Sequence, residues 1–99
     1  MNERETRRTL SDDGAVLSTA GYLGGILDGA SRVYSPNGTL VQEMVYAAGR
    51  LHGPYRTWWD NGAIKEEGEY VDGARAGEYR WYKDDGSLFR LHKYPRLSE

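Results

Sequence analysis

The chain repeats itself every 24 residues, and that period confines it to a fold built from tandem units. Glycine stands at 14, 38, 62 and 86, again at 25, 49 and 73, and again at 29, 53 and 77. Tyrosine recurs at 22, 46, 70 and 94, and arginine at 8, 32, 56 and 80. One slot holds Val16, Leu40, Ile64 and Leu88, and another holds Leu10, Tyr34, Trp58 and Tyr82. The frames run 5–28, 29–52, 53–76 and 77–99, so residues 1–99 form a single repeat domain. The outer units are the least regular, as capping units are.

Each unit carries two turn signals. One is a tripeptide ending at the first glycine series, as in Pro36-Asn37-Gly38 and Asp60-Asn61-Gly62. The other is a Gly-x-x-x-Gly element, as in Gly49–Gly53 and Gly73–Gly77. Short segments between such turns, with 8 Tyr, 3 Trp and 13 Gly and no long apolar run, predict an all-β chain. The expected architecture is four β-hairpins in one elongated, twisted antiparallel meander. Glu43–Ala48 has some helical character, but glycine returns too soon for a helix to extend.

Pro36 presets φ at the second position of a type I turn, Asn37 suits the third, and Gly38 then closes a three-residue loop with a bulge. That loop sets Tyr34 opposite Leu40, Trp58 opposite Ile64 and Tyr82 opposite Leu88. A two-residue loop would put these partners on opposite faces. The register also predicts that Tyr46, Tyr70 and Tyr94 join them, so that one face is buried by what recurs. It pairs Arg56 with Glu66, Arg32 with Gln42 and Arg80 with Arg90.

The units resemble the MORN-repeat variant found in bacterial proteins of antitoxin type. That family runs Gly-x-Tyr-x-x-Trp/Tyr-x-x-Asn-Gly-x-Leu and then Tyr-x-x-Gly. Gly53, Tyr55, Trp58, Asn61, Gly62 and Ile64, followed by Tyr70 and Gly73, match it nearly in full, and Gly77, Tyr79, Tyr82, Gly86 and Leu88 almost as well. The second unit has Ser31 for the earlier tyrosine; the first has Glu5 for glycine and Leu10 for the aromatic. The resemblance implies a row of hairpins acting as an antitoxin, immunity protein or scaffold. It is specific for architecture, which hosts many functions.

Composition narrows the partner. With 13 Lys and Arg against 15 Asp and Glu, the net charge of −2 disfavours a general nucleic-acid backbone binder. The absence of cysteine excludes disulfides and Cys-ligated metal. No apolar stretch follows the first residues, so we expect no signal peptide, no membrane partner and a cytoplasmic protein. Asn37-Gly38-Thr39 is then a turn rather than a glycan acceptor. His52 aligns with Asp28 and Ala76, and His92 with Met44 and Gly68, so neither belongs to a repeated ligand set. Neither a phosphate-binding glycine loop nor a nucleophile elbow occurs, and no cofactor, metal or catalysis is expected.

Residues that break the repeat are the most informative. Trp59 aligns with Ser35 and Lys83, Trp81 with Thr9, Val33 and Thr57, and Phe89 with Val41 and Lys65. Tyr55 and Tyr79 occur only in the last two units. Strand parity places Tyr55, Trp59, Tyr79, Trp81, Phe89 and Leu91 together, opposite the predicted core. Such an aromatic cluster, with Arg56 and Arg80 to tune orientation, has the composition of a protein-binding hot spot. The plainer alternatives are a second small core or a homodimer contact, and for the arginine column, stems lying along neighbouring rings. The expected function is a non-catalytic inhibitor or antitoxin occluding a toxin or enzyme target. A self-assembling scaffold comes next, and an anionic-lipid or nucleic-acid binder last. Lys93 and Pro95 guard the last strand against open-ended polymerisation.

Overall fold

The computed structural model describes residues 3–96. It contains eight strands: β1 (Arg4–Leu10), β2 (Val16–Leu23), β3 (Ile26–Tyr34), β4 (Leu40–Ala47), β5 (Arg50–Trp58), β6 (Ile64–Val71), β7 (Ala74–Tyr82) and β8 (Leu88–Tyr94). They form one antiparallel sheet in chain order, β1 to β8, with no helix among the described residues. The all-β meander of hairpins predicted from the repeat is the observed fold.

Two kinds of turn alternate along it. At the first, the Gly38 N–H donates to the Ser35 carbonyl at 2.9 Å and the Ser35 N–H to the Thr39 carbonyl at 2.8 Å. Gly38 takes φ +89°, the left-handed conformation that closes the predicted three-residue loop. Asn37, Asn61, Asp85 and Asp13 each accept from the N–H two residues on, which locks the same turn in all four units. The other turn is a two-residue loop: Ala48-Gly49 at φ +50° and +85°, and Asp72-Gly73 at +49° and +87°. Two successive positive φ values match the twist of the flanking strands, so the connection stays tight.

The predicted pairs Tyr34–Leu40, Trp58–Ile64 and Tyr82–Leu88 all form. One residue further on, the register departs from expectation. Thr57 pairs with Glu66 and Val33 with Gln42, leaving Lys65 and Val41 as extra residues in a second bulge. Phe89 is the extra residue in β8. Arg56 therefore faces Glu67, Arg32 faces Glu43, and Arg80 faces Leu91, rather than Glu66, Gln42 and Arg90. The bulge also inverts the pleat. Tyr46, Tyr70 and Tyr94 consequently lie on the face opposite Tyr34, Trp58 and Tyr82, and the expectation of one face buried by all recurring residues is corrected.

The molecule measures 39 × 37 × 11 Å, with a Cα radius of gyration of 15.1 Å against about 13 Å for a compact domain of this length. It is a single layer. Among the described residues only Met44, Thr57, Ala76 and Tyr79 are buried. Trp58, Tyr34 and Tyr82, predicted core, are half-buried because no second layer covers them.

Candidate functional site

A one-layer sheet can still make a small core if large rings lie flat across small neighbours on one face. Tyr79 does this. It is 0% exposed, and a Cβ placed on Gly68 would come within 2.1 Å of its ring, so glycine there is what admits it. Its ring meets Trp81 at 4.7 Å, Tyr94 at 6.1 Å, Tyr70 at 6.3 Å and Tyr55 at 6.4 Å between centroids. Arg75 closes the cluster from above. Its guanidinium lies 4.5 Å from the Tyr79 centroid and donates to the Tyr70 hydroxyl at 3.2 Å and the Tyr94 hydroxyl at 3.1 Å. Those bonds raise the arginine pKa further above its usual range.

Beside the cluster runs a polar network. The Tyr79 hydroxyl donates to Glu66 Oε1 at 2.8 Å, Thr57 Oγ1 donates to Glu66 Oε2 at 3.0 Å, and Gln42 Nε2 donates to the Tyr55 hydroxyl at 2.7 Å. Burial, then the Glu66 carboxylate, pushes the Tyr79 hydroxyl well above the usual tyrosine range. Burial also raises Tyr55, against the hydrogen bond from Gln42.

Next to this network Trp59 separates two open grooves. The first, about 570 Å³, is lined by Val41, Gln42, Tyr55, Thr57, Trp59 and Glu66 among others. The second, about 400 Å³, is lined by Trp59, Tyr82, Lys83, Asp84 and Phe89. The Trp59 indole N–H donates to the Tyr82 carbonyl at 3.3 Å, and the Lys65 ammonium sits 4.7 Å over its ring. Asn61 Nδ2 donates to the Asp84 carbonyl at 2.9 Å, tying consecutive turns together. Phe89 stands 68% exposed.

The structure thus divides the predicted residues. Trp59, Tyr55 and Phe89 line the two grooves, while Trp81 is half-buried on Tyr79. Tyr79 is core and offers no surface. Leu91 is cross-strand to Arg80 and so leaves the predicted cluster. Arg56 and Arg80 line a separate groove of about 240 Å³ with Glu67, Gly68 and Glu78. Pairing places it on the face opposite Tyr55 and Tyr79. There Arg80 pairs with Glu78, and Tyr82 donates to Glu67 at 2.9 Å. Burial, then Glu67, raises the Tyr82 hydroxyl.

Arg75 was not singled out from sequence, although the signal existed: its slot holds Leu27 and Leu51 in the two preceding units. The His52 slot also acquires a role. Asp28 Oδ2 accepts from the Ala48 N–H at 3.0 Å and His52 Nδ1 from the Asp72 N–H at 3.2 Å, so both cap the following two-residue turn.

The fold and its turns define a β-hairpin repeat protein of one antiparallel layer. Two segments, residues 27–48 and 51–72, match the family model of the MORN repeat variant, and they correspond to the β3–β4 and β5–β6 hairpins. The chain carries repeats of that family. Comparison with curated proteins and with solved structures finds no match.

Proposed function

We propose that the chain is a non-catalytic, cytoplasmic protein-binding module, an inhibitor or antitoxin that covers a toxin or enzyme target with Trp59, Tyr55 and Phe89. The position of Trp59 supports this most. An indole stands between two open grooves where the neighbouring units have Ser35 and Lys83, so the repeat itself has no need of it there. Its ring is fixed at the indole edge by the Tyr82 carbonyl and shares a groove with an exposed phenyl ring, an arrangement suited to a partner's apolar anchor. Trp81 packs on Tyr79 at 4.7 Å between centroids and lines neither groove. Arg56 and Arg80, on the other face, lie outside this contact. The inhibitor role comes from the resemblance of the repeats to bacterial antitoxin-type proteins, since the family match describes a repeat and no activity.

Affinity capture from the native host tests the reading. Wild-type chain should retain one protein that Trp59→Ala loses, with the far-ultraviolet circular dichroism spectrum unchanged. Equal retention by both would remove Trp59 from the contact. A second reading, a homodimer, draws on the exposed Leu88, Phe89 and Leu91 of β8. Sedimentation at micromolar concentration separates the two, since a stable dimer supports it and a clean monomer does not.

A further inference from the structure

Every inner boundary between hairpins follows one scheme. The second strand of a hairpin (β2, β4 or β6) receives the first strand of the next (β3, β5 or β7). At two of these boundaries a carboxylate on the receiving strand faces an arginine on the incoming one: Glu43 opposite Arg56, and Glu67 opposite Arg80. Strand β8 is the receiving strand of the fourth hairpin. Among the described residues no strand pairs with its outer edge.

The charge on that edge is inverted. Glu66, Glu67 and Glu69 of β6 correspond, 24 residues on, to Arg90, Leu91 and Lys93 of β8. Strand β8 also carries His92 and contains no carboxylate. Arg90 rests 5.3 Å from the Trp81 centroid, and Lys93 lies 3.9 Å from Glu78 with 74% of its side chain exposed. Leu88 is 52% and Leu91 41% exposed beside them. The edge therefore adds exposed apolar side chains and offers no carboxylate to the arginine that two inner boundaries accept.

A second copy of the chain is a poor occupant. Its β1 brings Arg8 in the arginine slot with Arg4 and Arg7 alongside. It also has Glu5 where Gly29, Gly53 and Gly77 take φ of +105°, +123° and +70° to bend the incoming strand. Two β8 strands paired antiparallel about Leu91 would set Arg90 against His92 and Lys93 against Phe89, leaving neither cation opposite a carboxylate.

We propose that the outer edge of β8 takes an acidic extended segment of a partner protein as a ninth, antiparallel strand. Its carboxylates would lie opposite Arg90 and Lys93, and its apolar side chains against Leu91 and Phe89. This rests on the reading of the chain as a protein-binding module and adds the chemistry of what it binds.

The test uses two fluorescein-labelled peptides with the sequence of the nine-residue β5 strand, the segment that β4 receives. Both carry Arg50→Ser and Arg56→Ser; one has His52→Arg and Thr57→Arg, and the other His52→Glu and Thr57→Glu, the two positions that the inner register sets opposite Lys93 and Arg90. Titrated against the full chain by fluorescence polarisation, the acidic peptide should bind about tenfold more tightly, a difference two charge contacts readily supply. Amide shifts should concentrate on β8, and R90E/K93E, melting as wild type does, should reverse the preference. Equal binding of the two peptides, binding of neither, or a preference that survives R90E/K93E overturns the proposal. None of those outcomes bears on capture of a host partner through Trp59, so the edge and the module reading fail separately.

Discussion

Tyr79 carries more of this molecule than any other side chain. Its ring is what Gly68, Arg75, Trp81 and three further tyrosines are arranged around. Burial keeps its hydroxyl protonated in the folded chain, whereas an unfolded tyrosine ionises near pH 10. The stability from burying the neutral form is therefore whole below about pH 10 and is lost as pH rises toward the folded value. Thermal melts at about pH 8 and about pH 10.5 should show a clear alkaline loss that is smaller in Tyr79→Phe, which keeps the ring and removes the titrating group. An equal loss in both would place the titration elsewhere. That Tyr79 is core was not legible in the sequence. An aromatic found in only two units suits a contact surface as well as a packed cluster, and strand parity could not decide between them. Parity fails because nothing sets the bulge residues Leu17, Val41, Lys65 and Phe89 apart from ordinary strand residues.

At the scale of elements, the turns were the most legible part. Pro36, Asn37 and Gly38 each act through a local constraint on φ or a bond to the backbone two residues on, so the sequence alone determines them. The pairing of Trp58 with Ile64 followed from the loop length. Strand β6 shows what lies beyond such local rules. Gly68 marked a close approach, yet the ring that approaches comes from β7, and only the assembled sheet identifies it. Gly68→Ala should cost about 1–3 kcal/mol, because the added methyl must displace a buried ring hemmed in on several sides. Gly62→Ala provides the contrast: nothing lies within 4 Å, and its cost comes from φ +88° alone. Urea denaturation of the two variants compares them, and near-ultraviolet circular dichroism should change only for the first. An unperturbed near-ultraviolet spectrum in Gly68→Ala would contradict the packing described.

For the whole molecule, the period specified which strands would be neighbours and left open what would lie above and below them. A repeat encodes in-plane contacts, since each unit meets only the units beside it. With no second layer, the recurring aromatics are shared between two half-buried faces, and the exceptions supply both the small core and the strip that lines the grooves. Half-buried Trp58 should accordingly cost less on truncation than the roughly 3–5 kcal/mol of a fully buried ring. The division of the exceptions into Tyr79 and its neighbours on one hand, and Trp59 and Phe89 on the other, is the central claim. Thermal melts of Tyr79→Ala and of Trp59→Ala with Phe89→Ala test it most directly. Tyr79→Ala should lose about 3–5 kcal/mol, a fall of more than about 12 °C, while the double variant should stay within about 5 °C of wild type. The opposite order, a stable Tyr79→Ala and a collapsed double variant, would contradict it.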